Sequence, residues 1–110
     1  MFGNSLSKVQ KLVEKKKDGE LAKLAGSKDE VVRMAAIAGL GKVRGEAGFN
    51  ALVALLRDPD AKVRAAVAGA MGEYGDPKLR AHIEHLLKSE PDETVKAALV
   101  GALGQMRDKL

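Results

Sequence analysis

Asp60-Ala61-Lys62-Val63-Arg64-Ala65-Ala66-Val67-Ala68-Gly69-Ala70-Met71-Gly72 is written three times in this chain. Thirty-one residues earlier stands Asp29-Glu30-Val31-Val32-Arg33-Met34-Ala35-Ala36-Ile37-Ala38-Gly39-Leu40-Gly41, and thirty-two later Asp92-Glu93-Thr94-Val95-Lys96-Ala97-Ala98-Leu99-Val100-Gly101-Ala102-Leu103-Gly104. Six columns agree in kind: Asp, Val at +3, a cation at +4, Ala at +6, Leu or Met at +11, and Gly at +12. Self-similarity at this period marks a stacked repeat, in which one short supersecondary unit recurs and no copy can bury its dry face alone.

The rest of the composition agrees with helices rather than sheets. Two Phe and one Tyr serve the whole chain of 110 residues, so Leu, Val and Ala must fill the core. Such side chains suit close helix-on-helix packing. Cysteine is absent, which excludes disulfide scaffolds, thiolate metal sites and thiol nucleophiles. No apolar run reaches the length of a membrane span and no signal core opens the chain, so a cytoplasmic protein is the default expectation. The net charge of +4 is local: residues 1–28 hold seven cations against three anions, whereas the remainder holds twelve of each. A high pI here describes one end of the molecule.

Taken in order, Leu6, Val9, Leu12 and Val13 predict an amphipathic helix over 5–17, capped by Asn4 or Ser5 and ended by Asp18-Gly19. A short helix over 20–26 carries Leu21 and Leu24. Asp29 then opens the first repeated helix, which runs to about Val43 before Gly45 breaks it. Phe49, Leu52, Val53, Leu55 and Leu56 mark the next helix, stopped by Asp58-Pro59, and its partner runs from Asp60 to about Tyr74. Asp76-Pro77 caps and starts a helix marked by Leu79, Ile83, Leu86 and Leu87. The last helix spans Asp92 to about Arg107. The domain plan is one unit, 1–110: a capping helix at 5–18 and repeats at 19–44, 45–75 and 76–108. The expected core stripes are Val32, Ala36, Leu40 and Val43; Val63, Val67, Met71 and Tyr74; and Val95, Leu99, Leu103 and Met106.

The Asp-x-x-Val-Arg-x-x-Ala pattern, ending in Leu-Gly and preceded by Leu-Leu-Arg-Asp-Pro, resembles the HEAT repeat over residues 20–108. It is most similar to the short HEAT-like subtype of phycobilin lyases and many bacterial scaffold proteins. The resemblance implies an all-α, right-handed α-solenoid of about three helical hairpins behind an N-terminal capping helix. It is unspecific for activity, since scaffolds, lyases, hydroxylases and DNA-repair proteins share the fold.

Repetition itself explains most residues that look catalytic. Asp29, Asp60 and Asp92 read as helix N-caps, each contributing on the order of 1 kcal/mol. The resemblance implies that Arg33, Arg64 and Lys96 complete a structural ladder by pairing with the Asp of a neighbouring repeat. Gly41, Gly72 and Gly104 imply close backbone approach or a helix bend, and no phosphate loop, because no strand precedes them. His82 and His85 have metal spacing but no third ligand on their face. Positions 33–34, 64–65 and 96–97 lack the paired His-Glu motifs of HEAT-type hydroxylases, and no nucleophile elbow surrounds Ser89, His85 and Asp92. No cofactor, metal site or catalytic group is expected.

Function is therefore sought on the side of the repeated helices away from the core, the concave surface used for binding in proteins of the resembled family. It holds Glu30, Val31, Met34, Ala35, Ala38 and Lys42; Ala61, Lys62, Ala65, Ala66, Gly69 and Glu73; and Glu93, Thr94, Ala97, Ala98, Gly101 and Gln105. A solvated helix face normally carries long polar side chains, and this one is small and apolar. Either neighbouring helices sit too close for anything larger, or the face is a shallow groove for a partner protein. The expected function is a non-catalytic protein-binding or scaffold module. The alternatives are an accessory subunit of a lyase or modifying enzyme and a weak, salt-sensitive binder of nucleic acid or anionic surfaces through the N-terminal lysines, which have no aromatic stacking platform beside them. Leu99, Val100, Leu103, Met106 and Leu110 make the last helix a candidate for self-association, because an array needs a polar outer face at its ends.

Overall fold

Seven helices account for the described residues of the computed structural model, which run from 4 to 109, with side chains described from 5 to 107. They are α1 (Asn4–Glu14), α2 (Asp18–Leu24), α3 (Glu30–Val43), α4 (Glu46–Leu55), α5 (Ala61–Tyr74), α6 (Arg80–Ser89) and α7 (Glu93–Lys109), with a 3₁₀ turn (Pro77–Leu79) leading into α6. No strand occurs among the described residues. Each repeated stretch is one helix, and these three stand side by side: α3 packs on α5 and α5 on α7, while α1 closes the first end against α3. Helices α2, α4 and α6 form the second layer, each against the repeated helix that follows it in its hairpin or neighbours it. The result is an all-α solenoid, 42 × 28 × 18 Å.

Local chemistry sets the helix starts. Asp29 accepts hydrogen bonds from the amides of Val31 (2.9 Å) and Val32 (3.2 Å), Asp60 from Lys62 (2.9 Å), and Asp92 from Val95 (3.0 Å). Each satisfies a donor that the first turn leaves orphaned. Asp76 does the same for Lys78 (2.8 Å) at the turn begun by Pro77. At the far ends, α5 stops at Gly75 in the left-handed region (φ 77°), and the same column after α3 holds Arg44 (φ 61°). Arg44 is held there over the ring of Tyr74, 5.8 Å from guanidinium to centroid, and Tyr74 in turn donates to the carbonyl of Gly45 at 3.0 Å.

The core lies between the two layers. Leu21, Leu52, Leu79 and Ile83 from the second layer meet Leu40, Val67, Met71, Leu99 and Met106, all fully enclosed. Every member of the expected stripes is buried except Val43 and Leu103, which are half-buried. The stripes omit Ile37 and Ala68, both at 0% exposure. These two face the next helix in the row rather than the second layer, so α3 and α5 are dry toward both neighbours in the row as well as toward the second layer.

Two expectations at the N-terminal end are corrected. The first helix closes at Glu14 rather than 17, and Asp18 begins α2 instead of ending α1. Its carboxylate accepts from the Gly48 amide at 2.9 Å, tying α2 to α4, so the residue serves tertiary packing. Leu6 is 47% exposed, leaving Val9 and Leu12 as the buried pair of α1. Leu110 lies outside the described residues.

Candidate functional site

The columns of the repeat decide what the exposed side of α3, α5 and α7 can do, because equivalent positions can be compared in three neighbourhoods. Ala35, Ala66 and Ala98 are half-buried and packed on the core, so their size is set by the closeness of adjacent helices. Met34 and Ala65 are also half-buried, whereas Ala97, at the same column, is exposed, with no further helix beside it among the described residues. One turn further out the situation changes. Ala38, Gly69 and Gly101 are exposed, and a Cβ placed on Gly69 or Gly101 would meet nothing within 4 Å. Close packing explains the small residues of the inner column and not those of the outer one.

Charged and branched side chains border this open strip. Val31 is 59% exposed, and Lys62 and Thr94 continue its column at the helix starts. Lys62 reaches Glu30 at 3.8 Å and Lys42 reaches Glu73 at 3.4 Å, so both ion pairs bridge α3 and α5 at the rims. All four side chains are well exposed, and pairs of this kind contribute little to stability. Gln105 continues the Lys42–Glu73 rim on α7; its Oε1 lies against Gly72, where a Cβ would approach it to 2.5 Å. The strip is therefore neutral and shallow at its centre, with mixed charges at both edges.

The glycine column answers a different question. A Cβ on Gly41 would lie 2.6 Å from the Ala70 carbonyl oxygen, and one on Gly72 would lie 3.0 Å from the Ala102 Cα. Both glycines let the next helix approach backbone to backbone. Gly104, the third copy, has nothing within 4 Å of its Cβ position.

The cations at +4 depart from the expected ladder. Arg64 donates from Nε and one terminal nitrogen to the two carboxylate oxygens of Glu90, both at 2.9 Å, and from the other to the carbonyls of Asp58 (2.7 Å) and Pro59 (3.1 Å). Its partner carboxylate comes from the loop before α7 rather than from a repeated Asp. Glu90 is the buried charge of the described core, 3% exposed, and it also accepts from the Asp92 amide at 3.0 Å. The hydrogen bonds from Arg64, opposed by burial and helped by the Asp92 amide, hold its carboxyl below the usual carboxylate range. The same pairing raises the Arg64 guanidinium further above its ordinary value. Arg33 repeats half of this arrangement. It donates to the Ser27 carbonyl at 2.9 Å, while its Nε is buried with no hydrogen-bond partner among the described residues. Lys96 turns to Glu93 on its own helix at 3.3 Å.

Sequence reasoning missed Glu90, which reads as a turn residue beside Pro91. The available signal was columnar: Ser27, Asp58 and Glu90 share one position, six residues before the cation of each repeat. His82 and His85 are exposed, and no group of three or more His, Asp or Glu side chains among the described residues is placed to hold a metal. Lys8, Lys11, Lys15, Lys16 and Lys17 are exposed on and after α1. No helix among the described residues is long and apolar enough to cross a membrane.

A family of proteins described as HEAT repeats matches residues 19–106 of the chain, which is α2 but for its first residue, all of α3 to α6 and most of α7. A comparison with curated proteins finds none that matches.

Proposed function

The chain belongs to the HEAT-repeat family, and from that premise we propose that it is a cytoplasmic, non-catalytic interaction module that holds a partner protein across α3, α5 and α7. The observation that carries this reading is the open outer column. Gly69 and Gly101 are small where the chain's own packing asks for nothing small, and Gly inside a helix costs about 1 kcal/mol against Ala. Close approach by another backbone gives that cost a reason. The strip offers Val31, Met34, Ala35 and Ala38 on α3, Lys62, Ala65, Ala66, Gly69 and Glu73 on α5, and Thr94, Ala97, Ala98, Gly101 and Gln105 on α7. A helix or extended segment laid over it would bury apolar centre and meet charge at the rims.

Gly69→Glu tests the reading cleanly, because the new side chain enters open space and Glu favours a helix more than Gly does. The variant should melt at or above the parent temperature and lose a cross-linked or co-purified partner that the parent retains. Retention of that partner by both Gly69→Glu and Gly101→Glu would overturn it. A second copy of the chain is a further partner of this module, met at the free side of α7, where Val100 is 56% exposed.

A further inference from the structure

The three repeated helices present the same seam to whatever stands next in the row. On α3 it is Glu30, Met34, Ile37, Gly41 and Arg44; on α5 it is Ala61, Ala65, Ala68, Gly72 and Gly75. Ile37 and Ala68 are at 0% exposure in these seams, and Gly41 and Gly72 admit the backbone of the following helix. On α7 the seam is Glu93, Ala97, Val100, Gly104 and Arg107, spaced four, three, four and three residues apart. That spacing keeps one stripe along a helix, as in paired helices. Here Val100 is 56% exposed and Gly104 faces open space, so the column that is wholly buried twice is bare the third time.

The charges of this seam say what covers it. Glu93 and Arg107 lie seven residues either side of Val100, at opposite ends of the stripe, and both are exposed. Two copies of α7 crossing antiparallel at Val100 bring Glu93 of each copy to Arg107 of the other, while Ala97 meets Gly104 at close range. A patch that is complementary to itself is what an isologous two-fold interface requires. Head-to-tail stacking matches only half of the seam's charge. The exposed Lys8, Lys11 and Lys15 of α1 would meet Glu93 favourably and Arg107 unfavourably.

We infer that α7 is a homodimerisation helix, pairing antiparallel with α7 of a second copy about Val100 and covering the exposed side of α7. This deepens the self-association reading above; it shares Ala97 with the edge of the strip and leaves Gly69 and Gly101 free. The basic α1 ends point away from each other in such a dimer, since α3 and α5 stand between α1 and α7. The fourteen helical rises between Glu93 and Arg107 give a contact about 21 Å long, below the standard interface size, so the dimer is concentration-dependent.

Sedimentation velocity of the full chain, from about 10 µM to about 1 mM, tests it. The parent should shift from monomer to dimer within that range, with no higher species. Val100→Glu should remain monomeric with unchanged helicity. Glu93→Arg and Arg107→Glu should each weaken dimerisation about tenfold or more, and the double exchange Glu93→Arg/Arg107→Glu should restore it to within about threefold. All three positions are exposed, so these variants keep the fold. A parent that is monomeric throughout overturns the dimer altogether. A dimer indifferent to Val100→Glu and to both single reversals overturns this geometry and leaves self-association through another surface. Gly69→Glu should dimerise like the parent, which separates this test from that of partner binding.

Discussion

Replacing Glu90 by Gln removes one charge and almost no volume, and its cost follows from where that charge sits. The Glu90 side chain is 1% exposed and accepts three hydrogen bonds, two from Arg64 and one from the Asp92 amide. Gln can supply one acceptor and must turn an NH₂ toward a guanidinium that is itself only 14% exposed. Breaking a buried ion pair from one side costs about 3–5 kcal/mol. Arg64 keeps the carbonyls of Asp58 and Pro59, which places this case at the low end, about 3 kcal/mol. For a domain of this length that is roughly a third of the total stability, and a fall in Tm of about 12 °C. Urea titration followed by circular dichroism should show a lower midpoint with an unchanged slope. The pH dependence supplies the stricter check. A carboxyl held below its usual range when folded stabilises the protein above its unfolded value of about 4.3, and that contribution is lost as pH falls through the folded value. The gap between parent and Glu90→Gln should therefore be full at neutral pH and close in acid. A gap under about 1 kcal/mol at neutral pH, or one of constant size into acid, would refute the assignment.

Asp58 occupies the column of Glu90 and makes the same inner bond, to the Asp60 amide at 2.8 Å, but its arm is one carbon shorter and Arg33 Nε stays unpaired. Asp58→Glu should complete the second copy of the bridge and raise stability by about 1 kcal/mol, read in the same urea titration. Gly72→Ala should destabilise by about 1–3 kcal/mol, because its Cβ would press on the Ala102 backbone, whereas Gly104→Ala, in open space, should stabilise a dilute monomer by up to about 1 kcal/mol. Tyr74 is pushed above the ordinary phenol range, first by burial and then by Asp76, and donates to Gly45. Stability should thus hold below the unfolded phenol value of about 10 and decline as pH rises through the higher folded value, and Tyr74→Phe should flatten that decline.

The repeat made the row of helices legible, because six agreeing columns constrain three segments at once and a shared column must serve a shared neighbourhood. That logic reaches the helix starts at Asp29, Asp60 and Asp92 and the closeness at Gly41 and Gly72. It cannot reach features that only one copy has. Glu90 looks like turn material until Arg64 is seen to fold back onto it, and nothing in a local window distinguishes it from Asp58. Asp18 departs from its expected role for a related reason. A residue that can end one helix can equally begin the next, and the choice was made by the distant amide of Gly48. Ile37 stands outside the expected core stripe because a single-face pattern describes a helix with one dry side, whereas an interior helix of a row is dry toward both of its neighbours as well.

The sides of each repeated helix order the molecule's surfaces by what they can still bind. The side of each repeated helix toward α2, α4 or α6 is spent on the hydrophobic core. The seam toward the next helix is spent in α3 and α5 and free in α7, where Val100 and Gly104 keep the character of buried positions. The outward strip through Ala38, Gly69 and Gly101 is free in all three. A partner lying along the strip meets every repeat in turn, and its affinity can grow with the number of helices crossed. A partner on the seam meets one helix alone, and only a surface shaped like another repeat can fill it. Pairing two copies through α7 would double the length of strip available while covering only Ala97 at its edge, so a dimeric partner should be held more tightly by the parent than by Val100→Glu. Equal retention of such a partner by both proteins would show that the two surfaces work separately.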